Sequence, residues 1–177
     1  MSLALVALVV LVVGDFGSTF FYHVPQHLWG TLHLRTHHDR RRGYREHAVL
    51  SVDPRVMLDG LLGALPYLAI AAAVWHVSWP GAVVGLALGQ LHVWWRHTSE
   101  LGWGTPAWLA GVLRAAGIVL PEDHDGHHRN PDIEFGDIFR FYDAPARAFM
   151  AWLAPTSRRV RKAALRRTHR RAPARAA

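Results

Sequence analysis

Residues 2–39, SLALVALVVLVVGDFGSTFFYHVPQHLWGTLHLRTHHD, begin as a nearly unbroken apolar run and end among histidines. A membrane-spanning helix needs about 20 mostly apolar residues, because ~30 Å of hydrocarbon is crossed at 1.5 Å per residue. Ser2 to Tyr22 meets that length, with one acid, Asp15, inside it. A cleaved leader matches poorly, since no Lys or Arg precedes the run and no small-x-small site follows it. Met57 to Trp75 is a second such stretch, with Asp59 at its start and Pro66 within. Trp79 to Trp95 is a third. The turn-rich link WHVSWPG (75–81) between them carries tryptophans suited to a membrane interface, so the pair reads as a helical hairpin. From Thr105 the stretch ending at Leu120 would cover only ~24 Å as a helix and holds Arg114, which predicts a re-entrant or interfacial helix. Ile138 to Leu153 mixes aromatics with Arg140, Asp143 and Arg147 and suits the interface too. The expected fold is an all-α integral membrane bundle. It has about three spanning helices, a re-entrant or interfacial helix and a cytosolic histidine-rich cap.

The 177 residues allow one domain. We draw it over 1–155, with 156–177 as a basic, disordered tail. There is no cysteine, which excludes disulfides, thiolate zinc sites, iron–sulfur clusters and thiolate nucleophiles. No Gly-rich phosphate loop is present. Arg35, Arg40, Arg41, Arg42, Arg45 and Arg55 fill the first loop, and Arg158, Arg159, Arg161 and Lys162 open the tail. The hairpin turn at 76–81 has no Lys or Arg. The positive-inside rule then places the loop and the tail in the cytoplasm. On a membrane protein such a tail sets topology and touches anionic lipid, so no nucleic-acid partner is expected.

Of 13 histidines, 11 fall in three windows. His23, His27, His33, His37, His38 and His47 form the first; His92 and His97 the second; His124, His127 and His128 the third. His76 and His169 receive no role. All three windows meet at one membrane face, provided that 103–120 does not cross. His23 and His27 share a helical face, as do His33 and His37, and so do His124, His127 and His128. His38 points about 100° away from His37, and His92 lies about 140° from His97 on a regular helix. For the last two to share a site, the helix must bulge or end between them, or each must approach a different metal. Neutral imidazole suits iron, zinc, copper and nickel. So many clustered rings exceed the needs of one ion, and two metals with open positions is the economical reading. Asp15 and Asp125 are candidate outer partners that fix ligand rings; Asp15 is the stronger, because an acid inside an apolar run is costly. Glu46, Glu100 and Asp123 are expected to be solvated surface acids.

The order of boxes resembles the fatty acid hydroxylase/sterol desaturase superfamily of membrane di-iron oxygenases. The matching text is DFGSTFFYHVPQHLWGTLHLRTHHD (15–39), QLHVWWRH (90–97) and PEDHDGHHRNPD (121–132). Compact length and close first boxes resemble bacterial β-carotene hydroxylases. The Gln90-x-His92-x-Trp94 pattern, the late His124-x-x-His127-His128 box and His47 resemble plasmanylethanolamine-type lipid desaturases. The resemblance implies two non-haem iron ions held by the histidines, with O2 as co-substrate. It implies removal of hydrogen from a lipid C–H bond, giving an alcohol or an alkene. It also implies a lipid that enters from the bilayer and a separate electron donor of ferredoxin or cytochrome type. A histidine-rich metal transporter or metal-binding membrane protein is the rival. It should place histidines along a path through the bilayer midplane, and the centres of these spans have none.

Overall fold

The computed structural model describes residues 2–39 and 41–171, with side chains up to residue 159. Helix α1 (Leu3–Ser18) starts under the Ser2 side chain, which accepts the Leu5 N–H. It continues through one wide π turn (Thr19–His23) into α2 (Val24–Leu28). Pro25 has no N–H to return to the preceding turn, and the helix widens where that bond would fall. The resulting rod, Leu3–Leu28, has 26 residues. It would be ~39 Å long, so its last turns outrun the hydrocarbon and carry His23 and His27 to the membrane edge.

Two short helices follow, α3 (Leu32–Thr36) and α4 (Tyr44–His47). Asp53 then caps α5 (Pro54–Val74) and Ser78 caps α6 (Trp79–Arg96). These two are the arms of the expected hairpin. Both pack on α1, which is central. Contact is close because glycines stand at the crossings. A Cβ at Gly14 or Gly17 would overlap Tyr67 or Pro66 of α5, and one at Gly81 or Gly85 would overlap Val6 or Val10 of α1. Small residues at such crossings let helices approach where no hydrophobic force drives them together.

By length and apolarity, Leu3–Leu28 and Pro54–Val74 qualify as spans among the described residues. The third expected span is the arm α6. It is shorter, and Gln90, His92 and Arg96 dilute its inner half. Only 17% of the apolar window of α5 is buried, with Leu61, Leu65 and Leu68 turned outward. A core helix of a soluble protein would hide those groups, so the architecture is that of a helical membrane bundle.

Helix α7 (Ala107–Ala115) is too short to cross, at ~14 Å, and exposes Trp108 and Val112. Helix α8 (Pro121–Arg129) therefore stays at the end of the bundle where the first rod stops. The expected helix at Ile138–Leu153 begins later than the sequence suggested. Asp137 and Ile138 bend, Phe139 makes an isolated bridge with Ile118, and Arg140–Tyr142 form a 3-10 turn before α9 (Asp143–Arg171). This irregular segment is held by Asp15, whose carboxylate accepts the N–H groups of Asp137, Ile138 and Phe139 at 3.0, 3.0 and 2.7 Å. Helix α9 packs Ala146, Phe149 and Met150 against Val24, Leu28 and Phe135. It runs on past residue 155, and Ser157 donates to the Leu28 carbonyl at 2.8 Å. Of the expected tail, 172–177 and the side chains from 160 onward lie outside the described residues.

Candidate metal centre

The histidines converge in two adjoining groups. His23, His27, His33, His38 and His127 each bring one ring nitrogen within 4.8 Å of the others. His37, His97, His124 and His128 do the same. His33 stacks on His37 with ring centroids 4.6 Å apart, so the groups share a wall. His47 sits beside the second group, its ring 4.8 Å from that of His128.

Hydrogen bonds on the outer side of the rings fix which nitrogen faces inward. The Nδ1–H of His23 donates to the Phe135 carbonyl at 2.9 Å, and that of His127 to the Ile133 carbonyl at 2.5 Å. His97 donates to the Val93 carbonyl at 2.7 Å. His47 pairs through Nδ1 with Glu100 at 2.7 Å, and His33 with Asp59 at 3.3 Å. A neutral imidazole has one N–H. With that proton on Nδ1, the Nε2 lone pair of each ring is aimed into its group, as ligating histidines are oriented.

The inward atoms are then too close for neutral rings with nothing between them. The bare Nε2 atoms of His23 and His127 are 2.9 Å apart. In the second group, Nε2 of His124 lies 2.9 Å from His97, 3.2 Å from His37 and 3.1 Å from His128. Nitrogens bound at about 2.0–2.1 Å to one cation stand ~3 Å apart, so these separations fit a shared ion. Nε2 of His27, His33 and His47, and both nitrogens of His38, are buried without a hydrogen-bond partner among the described residues. Protonation is a poor remedy. Burial first, and then neighbouring imidazoles, lower His38 to about 2. Burial and His38 lower His127 to about 3. His37, His124 and His128 are held well below the ordinary imidazole value mainly by burial, as is His97, where Arg96 adds to the effect. A cationic metal is the group that this donor set fits.

Ten of the eleven histidines expected as ligands thus meet at one place. His92 does not. Its Nε2 faces the Val119 carbonyl at 3.1 Å, tying α6 to the link before α8. Five residues on α6 set the two rings about 140° apart, and the helix end at Arg96 does not bring His92 round to His97. Asp125 is no outer partner either. It lies on the outer side of α8 and pairs with Arg129 at 2.8 Å. Asp15 touches no histidine but acts one step removed. The segment it holds carries Asp137, which accepts from Ser18 at 2.6 Å and pairs with buried Arg96 at 2.6 Å.

Asp59 was missed as a ring partner. It is buried, faces His33, and accepts from Thr36 at 2.8 Å and from Tyr22. The signal was available: it too is an acid within an apolar run, the reasoning applied to Asp15. Glu100 is exposed, as expected, and in addition is the partner of His47.

A cavity of 420 Å³ leads from the groups into the bundle between α1, α5 and α6. His23, His33, His37 and His47 line one end, and Leu68 and Leu86 line the other. Leu61 and Leu68 on its α5 side are exposed on the outer surface of the helix pair. Apolar walls with a few polar groups at one end are the usual make-up of a small-molecule site.

The fold and site together define an all-helical membrane bundle with histidine groups at one end that could hold metal. A family model described as Fatty acid hydroxylase matches residues 7–147, and the chain belongs to that family. Neither a curated protein nor a solved structure matches the chain.

Proposed function

We propose that this protein is an O2-dependent di-iron oxygenase that hydroxylates or desaturates a lipid at a C–H bond. Family membership supports lipid oxidation in general. The observation that carries the finer reading is the junction of two unlike surfaces in one cavity: inward histidine nitrogens at one end, aliphatic side chains of the spans at the other. His23, His27, His33, His38 and His127 would hold one iron; His37, His97, His124 and His128 would hold the other, with His47 beside it. When bound, the irons supply the O2 activation and C–H oxidation that no side chain of this protein can perform.

The protein's own share is placement. The carbonyls of Phe135, Ile133 and Val93 and the carboxylates of Asp59 and Glu100 keep the inward nitrogens unprotonated. Asp15 pins the segment through which Asp137 meets Arg96 at the inner end of the cavity. The walls of α5 and α6 exclude water and admit an apolar chain from the side, between the two helices. Hydroxylation and desaturation each consume one O2 and two electrons. A separate donor of ferredoxin or cytochrome type would supply the electrons at the cytoplasmic face, where basic residues of the first loop attract an acidic partner. The rival transporter reading would need histidines along the spans, whereas the grouped rings all lie at one end.

The test is to reconstitute the iron-loaded protein in lipid nanodiscs with a chemical or ferredoxin reductant and O2. Lipid mass spectra should gain a species heavier by one oxygen or lighter by two hydrogens, in proportion to O2 consumed. Reductant-driven O2 uptake with every lipid unchanged would overturn the reading.

A further inference from the structure

Glycines in the spans meet two different surroundings. At Gly14, Gly17, Gly81 and Gly85 an added Cβ would come within 2.3–2.8 Å of a neighbouring side chain. Those four are explained by helix packing. Gly63 of α5 and Gly89 of α6 are not. The nearest atom to a Cβ at Gly63 is the Tyr22 ring at 3.6 Å, and at Gly89 it is Leu11 at 3.6 Å. Both glycines line the 420 Å³ cavity. Gly81, Gly85 and Gly89 repeat every four residues on one face of α6. The first two close the contact with α1, and the third, on the same face, leaves room for about a methyl group before Leu11 is touched.

The two positions stand at different depths. Gly63 lies one turn past Asp59, ~6 Å along α5 from the partner of His33. Gly89 lies seven residues before Arg96, ~10 Å along α6 from the inner end of the cavity. Leu68 and Leu86 line the far end.

We propose that Gly63 and Gly89 are specificity-determining residues whose missing side chains set the girth and length of the apolar tail accepted beyond the reacting carbon. This rests on the oxygenase reading above. It predicts a substrate with an unbroken apolar segment at least ~10 Å long on the midplane side of the carbon attacked, since both positions would otherwise be left empty. Gly89 governs how long that segment can be. Gly63 governs whether any chain passes.

Gly89→Leu, Gly89→Ala and Gly63→Leu test this in the iron-loaded protein in nanodiscs, with saturated acyl lipids graded from short to long. Iron content and melting temperature serve as controls, because neither glycine is a ligand or a close contact. Gly89→Leu should cut turnover of the longest chains by about tenfold relative to the shortest, a typical cost of a misfitted pocket. Gly89→Ala should shift the same ratio in the same direction by less. Gly63→Leu should lower turnover of all chains by about tenfold or more. Wild-type ratios in both Gly89 variants would overturn the proposal, and Gly89→Ala decides if the larger side chain costs the fold. A photoreactive fatty acid separates this proposal from the reading beneath it. Should the wild-type protein oxidise no lipid, labelling of α5 and α6 that drops in Gly89→Leu keeps the gauge and removes the oxygenase. Equal labelling of wild type and variant overturns the gauge itself.

Discussion

The two histidine groups hold the same chemistry by different means. The first draws His23, His27, His33 and His38 from one short stretch at the end of the rod, and only His127 comes from afar. The second is assembled from the end of α3, the end of α6 and α8, with His37, His97 and His124 separated by 60 and 27 residues. Their outer partners differ as well. His33 leans on Asp59 of α5, while His97 leans on the Val93 carbonyl of its own helix and His47 on Glu100. Local spacing can build a ligand set where a helix supplies i and i+4 positions. A set spread over three elements depends on tertiary packing. Helix α8 and the α3 segment serve both groups, so it is loss of a single ring or of its outer partner, rather than of an element, that should strike one group and spare the other.

The largest effect is expected from removing a ring that touches several others. His124→Ala should empty the second group, leave about one iron per chain, and drop lipid oxidation to background, because residues acting as a unit fail together. His127→Ala should do the same to the first group. Iron analysis of purified variants, alongside product mass spectra, checks both. Equal loss of both irons from either single change would break the comparison.

Outer partners come next. Asp59→Asn should weaken iron in the first group by about 10–100-fold, the usual cost of losing such a partner. Glu100→Gln should act on the second group by a similar factor. Iron loss against a graded chelator, read separately in each variant, sharpens the distinction. If Asp59→Asn weakened only the second group, the assignment of His33 would be wrong.

Acid is the third lever. His38 and His127 titrate at about 2 and about 3 in the folded protein, against 6.5 for an ordinary imidazole. Between those limits the unfolded chain binds more protons, so stability rises with pH there. The metal-free protein should be at its full stability above about pH 6.5 and lose it progressively below. Thermal melting of the iron-free protein across that range is the check. A melting temperature that rose on acidification would contradict the burial of neutral rings.

The smallest effects belong to the residues that the fold sets apart. His92→Ala should keep both irons and cost about 1 kcal/mol through its lost bond to Val119. Asp125→Ala should change stability by about 0–1 kcal/mol and activity within error, as for an exposed ion pair.

Much of this was legible in the chain. Spans follow from length and apolarity, and the non-crossing of α7 follows from its few residues and Arg114. Repeats of i and i+4 gave the faces of α2 and α8. What was hidden depends on distance along the chain. Asp59 and His33 are 26 residues apart, and nothing local pairs them. The carbonyls that orient His23 and His127 belong to an irregular segment whose path is set by Asp15, over 120 residues away. His92 failed for the opposite reason. It sits in a box with His97, but the five-residue spacing points the two rings about 140° apart and only one turns inward.

The most direct test of the central claim is an iron count with coordination by X-ray absorption on the purified protein. The proposed oxygenase reading predicts two irons per chain, both in nitrogen-rich shells of imidazole, with no haem absorbance. A single iron, or iron that survives combined loss of His37 and His124 without any change in its shell, would contradict it.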